Sequence, residues 1–245
     1  MKRLNGIIKD FLLFTRIALV LAWLSHFFKF MHNLIGLTKW ISKHKKGLAF
    51  DDSYRFLRNY PDRKKLYKHT LDTNKLTDTP IQYLEFGVFG GDSFRWWLDN
   101  NKHADSTFHG FDTFEGLPED WGFYNQGDMH ASMPEVADKR GQFVKGLFQH
   151  TLLDFIKTSL DKTGKRKVIH LDADLFSSTL FVLTSLAPYL QDGDLILFDE
   201  FSVPNHEYFA WDLFTKTYYV DFEVIGAVNN FFQIAIRYKG MGKFD

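Results

Sequence analysis

From residue 81 onward, short apolar runs alternate with longer amphipathic ones. The runs at 81–86, 107–111, 167–171 and 195–198 are brief, apolar and bounded by turn-forming residues, the pattern of strands buried on both faces. Residues 144–146 read as a further short strand. Residues 93–100, 152–160, 178–190 and 206–218 read as helices between them. Residues 222–227 and 231–238 flank Asn229-Asn230 and read as an antiparallel pair. Residues 51–80 read as mixed helix and loop ending in the turn signal Asp78-Thr79-Pro80. The expected architecture is α/β and Rossmann-like. It is a mostly parallel, seven-stranded sheet covered by helices, closed by a C-terminal antiparallel hairpin.

The first 50 residues follow a different pattern. Residues 7–41 are apolar with scattered cations, and the longest clean run is 17–24. A spanning helix needs about 20 apolar residues, and the window 11–28 already contains Arg16, Ser25 and His26. Asp10 interrupts the start and no small-residue cleavage site follows, which argues against a signal peptide. Residues 1–50 are therefore expected as a helical extension, with the main domain at 51–245. Three placements fit: a lid or dimer helix packed on the body, an interfacial helix on anionic lipid, or a span.

Charge sharpens this division. The chain is balanced overall, but residues 1–50 hold nine of the 30 Lys and Arg and only Asp10 of the 30 acids. A basic arm on an acidic body points to an anionic surface, with Lys39, Lys43, Lys45 and Lys46 near lipid headgroups. The expected location is cytoplasmic, at the inner face of a membrane if residues 1–46 touch lipid. A homodimer through the same arm is the competing expectation. The acidic body disfavours nucleic acid. There is no Cys, which removes disulfides, thiolate metal sites and Cys nucleophiles.

In an open parallel sheet, ligands sit beyond the carboxyl ends of the strands. The first strand runs into Glu85-Phe86-Gly87-Val88-Phe89-Gly90-Gly91-Asp92-Ser93. Gly87, Gly90 and Gly91 permit a tight turn and close approach of backbone to ligand. The helix that follows offers free N–H groups to a carboxylate, and Ser93 adds a hydroxyl. Glu85 is placed to accept from an ammonium. These groups suit the amino-acid end of S-adenosylmethionine, whereas the glycine spacing fits neither a dinucleotide fingerprint nor a P-loop. The second strand ends at Asp112, 25 residues after Gly87, where an acid can bind ribose hydroxyls.

The later strands end in His170-Leu171-Asp172-Ala173-Asp174 and in Leu197-Phe198-Asp199-Glu200. Four carboxylates at one sheet edge repel unless a cation or proton intervenes. Asp172, Asp199 and Glu200 are hard oxygen donors of the kind Mg²⁺ takes. A metal there would orient an acceptor hydroxyl and lower its pKa. A carboxylate of the cluster, Asp174 among the candidates, would take the proton. His206 is an alternative base, and His150 is a further histidine nearby in the pattern.

YLEFGVFGGDS, FHGFDTFEGLPED, KGLFQHTL, IHLDADLFSST and ILFDEF resemble, in order, the motifs of the macrocin and mycinamicin O-methyltransferases, the TylF-type family. The resemblance covers residues 81–205. It implies a class I methyltransferase fold, S-adenosylmethionine as donor, Mg²⁺, and a sugar hydroxyl on a glycan, glycolipid or glycosylated natural product as acceptor. By position it places Glu85, Gly87, Ser93 and Asp112 on the cofactor. It places Asp172, Asp199 and Glu200 on the metal, with Asp172 as candidate base. The chain departs from the family's Asp-Asp pattern at Asp199-Glu200 and from its acid at His150. Two competing functions are metal-dependent methylation of a small phenol or catechol, and a degenerate scaffold that keeps the fold without turnover.

Overall fold

The computed structural model describes residues 2–52, 55–120 and 124–242. The N-terminal arm is α1 (Lys2–Thr15), a 3₁₀ segment (Ile17–Leu24) and α2 (Ser25–His44). The body continues with α3 (Arg63–Thr73), β1 (Ile81–Phe86), α4 (Asp92–Asn100), β2 (Thr107–Asp112) and β3 (Gly141–Lys145). After these come α5 (Phe148–Thr158), β4 (Arg166–Leu171), α6 (Phe176–Leu186) and β5 (Leu195–Phe198). The chain closes with α7 (Glu207–Tyr218), β6 (Val220–Val228) and β7 (Gln233–Met241).

The seven strands form one sheet in the order β3-β2-β1-β4-β5-β7-β6. The first five are parallel, and β7 inserts antiparallel between β5 and β6. This is the expected α/β sheet with its closing hairpin. All six residues of β1 are buried, as a central strand covered on both faces requires. One apolar cluster, with Phe86, Phe111 and Trp211, lies under α5, α6 and α7. The other, with Leu66, Tyr83 and Trp97, lies under α3 and α4. The abundant Phe residues fill these layers, with Phe86 and Phe111 stacked at 4.7 Å.

Register decides which residues meet. Phe86 pairs with both Phe111 and Leu171, and Leu171 pairs with Phe198. The ladder carries on past the strand ends through Gly87 N–H to Phe111 (2.9 Å), Asp172 N–H to Phe86 (2.9 Å) and Asp199 N–H to Leu171 (3.0 Å). Gly87, Asp112, Asp172 and Asp199 are thereby brought to one edge.

Several boundaries differ from the sequence pattern. β3 occupies Gly141–Lys145 rather than 144–146, because pairing with β2 defines it while its half-exposed residues carry little apolar signal. α5 starts at Phe148, four residues earlier than expected. α6 stops at Leu186, and Pro188 lies in a 3₁₀ turn that follows. α3 lay unresolved in the mixed segment, since it is strongly polar apart from one stripe. The hairpin turn places Asn229, Asn230 and Phe231 at positive φ (54°, 61° and 65°), with two Asn residues that tolerate it. Both Asn side chains reach back to the segment before α3. The Asn229 carboxamide accepts from Asn59 N–H (2.8 Å) and donates to Asn59 C=O (3.0 Å), and Asn230 does the same with Arg55.

Candidate active site

A cavity of about 510 Å³ opens at the carboxyl edge of the sheet, the size of a cofactor-binding cleft. One wall is the turn between β1 and α4. Gly87 has φ +91°, and a Cβ there would stand 1.8 Å from the Asp172 carbonyl oxygen. Only glycine lets the β1 and β4 ends come this close. Gly91 caps α4 at φ +75°. Asp112 holds the turn: one carboxylate oxygen accepts from the Val88 and Phe89 N–H groups (both 2.8 Å), the other from Phe114 N–H (2.7 Å). Gly87, Ser93 and Asp112 line the cavity.

Glu85 is placed differently from the expectation. It is fully buried and is not among the cavity-lining residues. It accepts from Ser93 Oγ (2.7 Å) and Tyr83 OH (2.5 Å), and Tyr83 OH also meets His170 Nδ1 at 2.8 Å. Burial pushes the Glu85 carboxyl up to about 8, against the pull of its two hydroxyl donors. Burial also lowers His170 to about 3, with Arg63 adding to it. Glu85 therefore anchors the start of α4 from beneath, and the Ser93 hydroxyl is engaged with it.

The opposite wall is the carboxylate cluster. Asp172, Asp174 and Glu200 line the cavity, and Asp199 is buried behind them. The cation among them is Arg63, whose guanidinium stands 3.5 Å from Asp199 and 3.8 Å from Asp172. Arg63 also donates to Tyr60 OH (2.5 Å) and to Asp92 (3.2 Å). Tyr60 OH in turn donates to Asp199. The surplus of negative charge raises the remaining groups. Burial, then Asp199 and Asp174, lift Asp172 well above the carboxylate range. Burial, then Asp199 and Asp112, lift Asp174 to about 7. Burial, then Asp174 and Asp199, lift Glu200 to about 8, with Arg58 pulling it back. Asp174 also sits at φ +57°, which turns the chain sharply between β4 and α6.

The expected Mg²⁺ ligands do not make a metal centre as placed. Among the described residues no three His, Asp or Glu side chains converge as donors. Two of the three expected ligands face Arg63 instead. His206 immediately precedes α7 and does not line the cavity; burial and Lys29 lower its pKa. His150 is exposed on α5. Tyr60 and Arg63 were missed from the sequence, although one signal was present. Arg63 lies on the same buried stripe of α3 as Leu66, Tyr67, Thr70 and Leu71, and a cation on an apolar stripe calls for a buried partner.

Residues 84–201 match the model of a family described as methyltransferase domain. That span holds both cavity walls except for Tyr60 and Arg63. No curated protein matches the chain by sequence. Among solved structures the chain is similar to CalS11, a calicheamicin methyltransferase. Identity is 20%, coverage 73% of this chain and 77% of that one, and the TM-score 0.55. It is similar also to the O-methyltransferase NovP, at 19% identity, 75% and 79% coverage and TM-score 0.55. The strand order and the antiparallel β7 are those of the class I methyltransferase fold.

Proposed function

We propose that the chain is an S-adenosylmethionine-dependent O-methyltransferase acting on a sugar hydroxyl of a glycan, glycolipid or glycosylated natural product. One observation carries the reading: a single cavity has a glycine turn and Asp112 on one wall and a poised carboxylate, Asp174, on the other. The methyltransferase-domain match supports the chemistry. The five ordered motifs and the likeness to NovP, itself an O-methyltransferase, support oxygen as the acceptor atom.

The residues present fit the cofactor. Gly87 and Gly90 line the cavity, and a Cβ at Gly90 would meet nothing within 4 Å, so backbone borders open space there. Asp112 would hold ribose hydroxyls, the amino end of α4 the carboxylate, and Leu147 and Phe148 the adenine. When bound, the cofactor supplies a methyl group on a positively charged sulfur. Asp174 would take the acceptor's hydroxyl proton as the methyl group is transferred, leaving S-adenosylhomocysteine as the other product. A carboxyl near 7 is matched to that task. Arg63 and Tyr60 hold Asp172 and Asp199 in place and offset part of their charge.

Calorimetry with S-adenosylmethionine tests the first half of the reading. Labelled methyl transfer to nucleotide sugars, glycolipid extracts and catechols, with and without EDTA, tests the second. Failure to bind the cofactor would sink the reading in favour of a scaffold. Transfer to catechols alone would move the acceptor to a phenol, and EDTA-sensitive turnover would return the carboxylates to a metal role.

A further inference from the structure

From residue 4 to residue 32 no side chain is buried. The exposed positions include Phe11, Phe14, Val20 and Trp23, the last two 68% and 78% exposed. Exposed apolar surface on this scale marks a contact with something else. In α1, Leu4, Ile7, Ile8, Phe11 and Leu12 recur at helical spacing, with Asn5, Lys9 and Asp10 between them. The 3₁₀ segment Ile17–Leu24 is apolar all round, with none of its residues buried. Arg16, at φ 55°, turns the chain between the two.

By length and composition, Ile17–His44 is long and apolar enough to cross a membrane. Its second half is already committed to the body. Leu37 is in the core, Trp40 lies 4.7 Å from Phe201, and Asn33 donates to Asn205 at 2.9 Å. The free stretch between Arg16 and Lys29 is shorter than the roughly 20 residues a span needs.

Charge distinguishes lipid from a second copy. Residues 4–32 carry Lys9, Arg16 and Lys29 against the single acid Asp10. A two-fold pairing of arms brings like charges together, whereas an anionic bilayer takes both the cations and the apolar face. The arm also leaves the body beside the cleft. Lys29 sits over the rings of Phe176 and Phe209, at 5.8 and 5.3 Å. Phe176 opens α6 just after Asp174 and Leu175, at the carboxyl edge of the sheet.

We propose that residues 4–32 insert into the interface of an anionic bilayer without crossing it, holding the cleft at the lipid surface so that the acceptor hydroxyl is carried on a lipid. The lipid contact stands by itself; the lipid-borne acceptor rests on the methyltransferase reading above.

The test uses the full chain with phosphatidylcholine vesicles and with vesicles that also contain phosphatidylglycerol. Flotation should recover protein with the anionic vesicles and far less with the neutral ones. Acyl-chain-brominated lipid should quench fluorescence that is lost in Trp23→Phe. Leu19→Glu with Leu21→Glu should lower the bound fraction at least tenfold, roughly. Removing one of Lys9, Arg16 or Lys29 should lower partitioning about fivefold. Protein that stays unbound on anionic vesicles overturns the proposal. So does a discrete dimer in solution that the Leu19 and Leu21 substitutions dissociate. Cofactor binding and methyl transfer to extracted glycolipids, measured on the same preparations, keep the two readings apart. Vesicle binding without cofactor binding leaves the arm's role standing and removes the enzyme reading.

Discussion

At the ends of β1 and β2, carboxylates are held by neutral donors. Glu85 has two hydroxyls, and Asp112 has three backbone N–H groups. At the ends of β4 and β5, Asp172 and Asp199 share one guanidinium and Asp199 also takes one phenol, while Asp174 and Glu200 are left with pKa values of about 7 and 8. The first wall is fixed in place by these donors, with Asp112 lining the cavity. The second is crowded with like charge, so a proton entering or leaving there relieves repulsion. Perturbed groups of this kind are what an acid–base step requires.

Substitutions at three positions probe the contrast. The largest effect is expected for Asp174→Asn, which removes the base from the crowded wall. Its kcat should fall about 10²–10⁴-fold, while calorimetry should show cofactor affinity retained. In the unsubstituted protein kcat/KM should rise with pH through about 7, because only the ionised form accepts the proton. That rise should vanish in the variant, and a persisting rise would move the base elsewhere. Next is Arg63→Leu, which leaves Asp172 and Asp199 uncompensated. Denaturant unfolding should show a loss of about 3–5 kcal/mol. Arg63→Lys should recover only part of it, since a point charge cannot serve Tyr60, Asp92 and Asp199 together. The smallest is Ser93→Ala on the first wall. It removes one of two donors to Glu85 and should cost about 1 kcal/mol. A cost as large as that of Arg63→Leu would show that the two walls do not differ as described.

The sheet and its closing hairpin could be read from the chain because the buried strands are short, apolar and bounded by turns. Asp112, Asp172, Asp174 and Asp199 could be located because parallel register carries each strand's last residue to one edge. Glu85 was located correctly on β1, but whether it faces the cleft or the layer beneath depends on Ser93, Tyr83 and His170, which meet only in three dimensions. Tyr60 and Arg63 lie outside the alternating pattern, in a polar segment whose position is set by Asn229 and Asn230. A metal was expected because four acids at one edge need a cation. Arg63 on α3, far away in sequence, supplies one such charge beside Asp172 and Asp199.

The contact of Asn229 and Asn230 with residues 55 and 59 bears on the order of assembly. The hairpin leaves the ribosome after the four acids and Arg63. Until β6 and β7 pair, residues 55 and 59 lack these two carboxamide partners, and α3 is held by its buried stripe, Leu66 and Tyr67 against Tyr83 and Trp97. Pairing of β6 with β7 thus adds a tether to the segment that leads into Arg63 as it completes the sheet. A chain clipped before residue 229 would keep the sequence of all five parallel strands but lose the tether that Asn229 and Asn230 place on the approach to Arg63.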